Sequence, residues 1–116
     1  MSAPAIRIAG PAYLASSATN IYTPPTSSQV TLNAYLTQIH LANTDSVAHT
    51  WTLYIGATGG SSGGTEIGKA VSIAANTTQD LYFGDGIRLL TTDFLSGLAD
   101  AASKITIVIL GYVQAV

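Results

Sequence analysis

Two histidines have the widest chemical range of any residues in this chain, since imidazole serves as a general base, a proton shuttle and a metal ligand. His40 and His49 lie in two segments of alternating apolar and polar residues. If these segments form a hairpin that pairs Leu41 with Trp51, residues whose numbers share parity share a face. His40 and His49 then point to opposite faces, so we expect two single surface histidines without a shared metal ion.

A glycine-rich segment fits most of the phosphate-binding loop pattern G-x-x-x-x-G-K, since residues 63–69 read GGTEIGK. The next residue is Ala70, where the pattern needs a hydroxyl for magnesium. The following residues are strand-like, so we expect no helix N-terminus to receive a phosphate. We interpret residues 56–64 as a flexible glycine loop.

The remaining candidates for chemistry are weak. Without cysteine the chain has no thiolate nucleophile, no disulfide and no sulfur-ligated zinc. The letters G-x-S-x-G occur at residues 59–63 and 60–64, but within the glycine-rich loop and not at a predicted turn from a strand into a helix, so we expect no nucleophile elbow. Asp80, Asp85 and Asp93 fall in or near predicted turns, and their spacing matches no EF-hand, although a calcium site built from them stays open. We therefore predict that the protein is not an enzyme and has no catalytic, cofactor-binding or metal-binding residues, no cofactor and no small-molecule substrate.

Charge is scarce in the 116 residues, of which 9% are charged and 47% hydrophobic, whereas an average protein has about 25% charged residues. Four basic side chains are too few for a nucleic-acid partner, and no basic amphipathic face points to a membrane. The N-terminus lacks a signal-peptide pattern. A surface with so few charges favours burial against other subunits, and a monomer with an uncharged polar surface is the alternative.

Alternation with a period of two predicts the elements that position these residues. Residues 33–43 and 50–56 are predicted strands joined by a hairpin connection. In the first strand, one face is predicted to carry Tyr35, Ile39 and Leu41 and the other Ala34, Gln38 and His40. Further strands are expected at residues 69–74, 77–83, 86–90 and 104–113, with turns at Asn76 and residues 84–86. Apolar residues on both faces of the last strand favour a central position in its sheet.

Residues 92–102 fit either a short helix or a strand that ends near Ala99, and Gly97 favours the strand. About seven or eight short strands result, which is typical of an all-β, antiparallel β-sandwich of the jelly-roll kind. Residues 1–30 contain all four prolines and are predicted to form an extended N-terminal arm that leads into a β-sandwich domain at residues 31–116. We expect this arm to lie across a neighbouring subunit, so that a chain without residues 1–20 still folds. The alternative is an edge strand of its own sheet.

Short motifs carry a resemblance to a known class of proteins. They are IYTPP at residues 21–25, IHLANTD at 39–45, WTLYIG at 51–56, GIRLLTTD at 86–93 and KITIVILGY at 104–112. Over residues 21–116 the chain resembles small β-sandwich virion proteins of tailed bacteriophages, although Thr92-Asp93-Phe94 departs from the Gly-Asp-Thr usual there. The resemblance implies a symmetric, multi-copy shell or tail component without an enzymatic role, and it provides no functional residues.

The expected function is therefore that of a non-enzymatic bacteriophage virion structural protein, a capsid decoration or minor capsid protein present in multiple copies. Its partners would be further copies of itself and other virion proteins, such as major capsid or tail proteins. Its expected location is the virion, assembled in the cytoplasm of the bacterial host. A tail or neck component is one alternative. A host-surface or carbohydrate-binding module that uses strand tyrosines or the loop at residues 56–64 is another.

Overall fold

The computed structural model describes residues 6–56 and 65–116, and these residues form eight β-strands. The strands are β1 (Ile6–Tyr13), β2 (Thr19–Tyr22), β3 (Leu32–Asn43), β4 (His49–Gly56), β5 (Glu66–Ile73), β6 (Thr78–Leu89), β7 (Phe94–Ala99) and β8 (Ile105–Ala115). The segment that fitted either a helix or a strand is thus the strand β7, and the glycine loop proposed for residues 56–64 lies largely outside the described residues.

The strands form two four-stranded antiparallel sheets. The first sheet has the order β1-β8-β3-β6 and the second the order β2-β7-β4-β5. This alternation of strands between two sheets is the arrangement of a jelly roll. The predicted antiparallel β-sandwich is therefore confirmed, and so is the central position of the last strand, because β8 lies between β1 and β3.

The core lies between the two sheets and is built from the inward residues of each strand. Burial of a Leu or Ile side chain contributes about 1.5–3 kcal/mol, so this layer dominates the stability of the fold. The largest fully buried side chains are Leu14, Leu36, Ile39, Leu41, Trp51, Leu53, Ile73, Leu89, Leu95, Ile105, Ile107 and Ile109.

Trp51 is the largest of these and links the two sheets. Its Nε1 donates a hydrogen bond of 2.9 Å to Gln79 Oε1 on β6. Its ring covers Gly68 on the neighbouring strand β5, where an added Cβ would lie 2.4 Å from Trp51 Cζ3. Residue 68 must therefore be glycine for the indole to lie flat against β5.

A bulge in β3 changes which of its residues point inward. Leu36 pairs with Gly111 and Gln38 with Leu110, so that Thr37 is one extra residue in β3. Its hydroxyl donates a hydrogen bond to the carbonyl oxygen of Leu110. The prediction that Tyr35 shares a face with Ile39 is therefore wrong, because the strict alternation restarts after the extra residue.

The predicted hairpin between residues 33–43 and 50–56 is also wrong. β3 belongs to the first sheet and β4 to the second, so the connection at residues 44–48 passes from one sheet to the other. Two strands that face each other across a sandwich show the same alternation as two neighbours in one sheet. The pattern therefore predicted each strand correctly and their pairing incorrectly.

The turn predicted at residues 84–86 is a bulge within one long strand. Leu36 pairs with Ile87 and Gln38 with Tyr82, so Thr37 alone lies opposite residues 83–86 of β6. Gly84 and Gly86 have φ angles of 61° and 114°, which glycine adopts without the steric cost of a Cβ. The chain therefore continues along the same sheet after the bulge.

Two segments of the N-terminal arm predicted for residues 1–30 are strands of the sandwich, β1 and β2. β1 pairs with β8 and β2 pairs with β7, each at an edge of its sheet. An edge strand tolerates Pro11, because its missing N–H removes no hydrogen bond from the interior of the sheet. For the described residues, the structure corrects the boundary at residue 30 in favour of the alternative, an edge strand of the chain's own sheet.

Candidate functional site

One end of the sandwich contains a buried histidine between two carboxylates. His49 Nε2 lies 2.8 Å from Asp45 Oδ2, and His49 Nδ1 lies 2.8 Å from Asp100 Oδ1. Lys104 Nζ approaches Asp45 Oδ2 at 3.8 Å. We refer to Asp45, His49, Asp100 and Lys104 as the His49 cluster. The prediction that His49 is a single surface residue is wrong, because the crossing of residues 44–48 brings it among these partners.

Hydrogen bonds of the connecting segments hold the cluster in place. Asn43 Oδ1 accepts from the backbone N–H of Asp45 at 3.0 Å, an Asx turn, and Asn43 Nδ2 donates to the carbonyl oxygens of Val47 and Ile73. The backbone N–H of Thr44 donates to the carbonyl oxygen of Lys104. The β3–β4 connection is therefore attached both to β5 and to the segment that precedes β8.

The electrostatics of the cluster favour the charged forms of His49 and Asp45. The hydrogen bond with Asp45 raises the pKa of His49, burial opposes this effect, and the hydrogen bond with Asp100 adds to it. The pKa of Asp45 is lowered by the hydrogen bond with His49, then by that from the backbone of Ser46. Within the described residues, no group of three or more His, Cys, Asp or Glu side chains is arranged to hold a metal ion.

The second histidine lies on the other sheet, on its outer face. His40 Nδ1 lies 2.7 Å from Asp80 Oδ1, and Gln38 Nε2 donates to the same oxygen at 2.9 Å. Both hydrogen bonds lower the pKa of Asp80, and the one with His40 has the larger effect. The two histidines therefore belong to separate clusters with different carboxylates.

The surface of the first sheet that points away from the core has an uncharged centre. We call this surface the outer face. Its central strands β3 and β8 contain no Asp, Glu, Lys or Arg. Charged residues of this sheet lie on its edge strands, with Arg7 on β1 and Asp80, Asp85 and Arg88 on β6. The buried centres of protein interfaces are depleted in charged residues relative to the rest of the surface.

Tyrosines are the prominent side chains of the outer face. Tyr35 and Tyr112 stack with ring centroids 4.9 Å apart and an interplanar angle of 14°. Tyr82 on β6 is 71% exposed and Tyr13 on β1 is 59% exposed. Exposed tyrosines supply large contact areas at a low cost in conformational entropy.

The edges of both sheets are interrupted. β1 contains Pro11 and two register shifts, and β2 is only four residues long. On β5, Ala70 has a φ of 49° beside a register shift, and on β6 the edge is broken by the bulge at residues 83–86. Prolines, bulges and short strands hinder the pairing of an edge with another chain. Contacts with other chains therefore fit the faces of the sandwich better than its edges.

The other candidate motifs have local structural roles. Residues 66–69 of the phosphate-loop pattern lie in β5, whereas Gly63 and Gly64 lie outside the described residues. Asp93 Oδ2 accepts from the backbone N–H of Leu90 at 2.9 Å and closes the turn before β7. Asp80 bonds to His40, while Asp85 lies in the bulge of β6, so the three aspartates occupy different surroundings.

Comparisons of the chain with protein-family models, curated proteins and solved structures give no match in any of the three. The function must therefore be argued from the geometry of the chain itself. No helix in the described part of the chain is long and apolar enough to cross a membrane.

Proposed function

We propose that this chain is a non-enzymatic structural protein of a bacteriophage particle, a capsid decoration or minor capsid protein present in multiple copies. The observation that carries the proposal is the jelly-roll sandwich with an uncharged, tyrosine-bearing outer face. Jelly rolls occur in viral capsid proteins and also in lectins, so the fold alone does not decide between them. The uncharged centre of the outer face favours association with other protein subunits.

The proposed mode of association is contact through the outer face. The expected mechanism, in which the N-terminal arm adds a strand to a neighbour, has little support because β1 and β2 are already paired within the chain. Many copies on one particle would then make each weak contact effective through multivalency.

The test is the location of the protein in cells that produce it. Antibodies against the folded chain are used to follow it through density-gradient fractions of a lysate and to label the particles for electron microscopy. We expect the chain to sediment with nucleic-acid-containing particles and to label their shell. Labelling of the tail or neck would move the assignment to that part of the particle. Recovery of the chain in the soluble fractions alone would contradict the proposal.

A carbohydrate-binding module is the second candidate, and the exposed rings of Tyr82 and Tyr13 favour it. Tyrosine rings stack on the apolar faces of sugars, as they do on other flat apolar groups. The mutual stacking of Tyr35 and Tyr112 occupies one face of each ring and reduces what they offer to a sugar. A glycan array separates the two candidates, because a purely structural protein should bind no glycan on it.

A further inference from the structure

The His49 cluster lies where the chain passes from one sheet to the other. The connections β3–β4 and β7–β8 each cross between the sheets, and Asp45 and Asp100 lie on these two connections. We propose that His49 is a proton-operated latch, which bridges Asp45 and Asp100 while it is protonated and releases the side chain of Asp100 when it loses its proton.

The geometry of the ring requires the proton. Each ring nitrogen lies 2.8 Å from an oxygen of a different carboxylate. A neutral imidazole carries one N–H, so its other nitrogen would direct a lone pair at a carboxylate oxygen. Only the imidazolium donates both hydrogen bonds at once. Loss of one proton therefore breaks one of the two contacts.

The contact with Asp100 is the one that opens. Asp45 Oδ1 accepts from the backbone N–H of Ser46 at 2.8 Å, and Lys104 lies near Oδ2. The side chain of Asp45 is 23% exposed, whereas that of Asp100 is 44% exposed. Water therefore replaces His49 more easily at Asp100. The neutral ring keeps its proton on Nε2, and Asp45 stays bound.

The two carboxylates that contact the ring act in one direction. Asp45 and Asp100 favour the imidazolium, and Lys104 stabilises Asp45 in its ionised form. Ile73, the partner of His49 on β5, is apolar. These are the charged groups of the described chain that contact His49 or its carboxylates.

The consequence for stability follows from the direction of the two shifts. Because the pKa of His49 is raised in the folded state, its contribution is fully present below about pH 6.5 and is lost as the pH rises through the folded value. Because the pKa of Asp45 is lowered, its contribution is present above about pH 4 and is lost as the pH falls. The latch is therefore closed at mildly acidic pH and opens toward alkaline pH.

Nuclear magnetic resonance on the full chain tests the latch. Two-bond proton–nitrogen correlations of the imidazoles show whether each ring nitrogen carries a proton. We expect both nitrogens of His49 to be protonated at pH 6 and Nε2 alone at alkaline pH, with a midpoint above about 6.5. The backbone amide signals of residues 100–103 should move with the same midpoint. Titration at or below the ordinary value, or immobile amide signals, would overturn the proposal.

Two variants separate the latch from other titrating groups. In Asp100→Asn the charge that favours the imidazolium is lost, so the midpoint of His49 should fall. His40→Gln removes the other imidazole and should leave the titration of His49 and the signals of residues 100–103 unchanged. If the His40→Gln variant loses the pH-dependent shift of these amide signals, the shift is due to His40, and the latch is refuted. The wild-type titration remains decisive if Asp100→Asn fails to fold.

Discussion

At the scale of single residues, the chain uses buried polar side chains in two contrasting ways. Asn43 and Asn33 lie on the same strand and are 2% and 4% exposed. Asn43 satisfies backbone groups of two segments, the β3–β4 connection and the end of β5, whereas Asn33 Oδ1 is buried without a hydrogen-bond partner. A satisfied buried amide stabilises the fold, and an unsatisfied one costs about 1–3 kcal/mol.

This contrast predicts opposite effects of one substitution. Asn43→Ala leaves the carbonyl oxygens of Val47 and Ile73 and the N–H of Asp45 without their partner, so we expect a loss of about 3 kcal/mol in the free energy of unfolding. Asn33→Ala removes an unpartnered oxygen and is the matched control, with a change within about 1 kcal/mol. Urea denaturation measures both. Equal losses in the two variants would show that side-chain volume, and not hydrogen bonding, decides the effect.

At the scale of elements, the first strands belong to the body of the fold. Leu14, which follows β1, is fully buried in the core, and Ile8 and Ala9 of β1 pack against it. Removal of β1 would expose apolar core surface and one edge of β8. β1 is therefore part of the fold and not an arm that extends from it. The structure thus reverses the expectation that the chain folds without residues 1–20.

Deletion of residues 1–20 should therefore destabilise the chain by at least about 3 kcal/mol, since it uncovers the core beside Leu14. The urea midpoint and the soluble yield report this loss. A deletion of residues 1–5 leaves every described strand intact, and it is the reference with which the midpoint of the longer deletion is compared. An unchanged midpoint after the longer deletion would show that β1 contributes nothing to the fold.

The outer face is the element that the proposed function needs. Leu110 lies at its centre on β8, so Leu110→Asp places a charge in the proposed contact. If association occurs there, its affinity should fall by about 30-fold or more, as for central residues of interfaces. Val47→Asp is the control, since Val47 is exposed in the β3–β4 connection and lies off this face. Sedimentation velocity measures self-association, and circular dichroism verifies the fold. Equal association of both variants would exclude the outer face.

At the scale of the whole molecule, interrupted edges and an uncharged central face act together. The edges hinder uncontrolled strand pairing, while the face offers area that carries few charges. The few charged residues of the first sheet lie at its edges, where solvent and salt screen them. Association should therefore depend on apolar and tyrosine contacts more than on ion pairs.

This distribution predicts that association is insensitive to salt. Raising sodium chloride from about 50 mM to about 500 mM strengthens the screening of surface charges. We expect the association constant to change by less than about threefold over this range. Sedimentation velocity at both concentrations provides the measurement. A steep decrease with salt would instead assign the contact to Arg7, Arg88 and the aspartates of β6.

The sequence by itself determined the class of this fold and most of its strands. Alternating apolar residues marked β3, β4 and β8, and the apolar residues on both faces of β8 indicated its central place, because side chains alternate between the two faces of a strand. The scarcity of charge also followed from composition alone. Alternation is a property of one segment and composition is a sum over the chain. Both can therefore be obtained from the sequence without knowing which segments contact each other.

Only the tertiary structure decided which segments meet. Because Thr37 is an extra residue in β3, Tyr35 points away from the core although Ile39 points into it. The glycines of β6 form a bulge and not a turn. The connection at residues 44–48 leads to the second sheet, so β3 and β4 are not neighbours. That connection also brought His49 between Asp45 and Asp100, which are far apart in sequence. Alternation specifies the orientation of a side chain relative to its own strand and carries no information about the partner across the core.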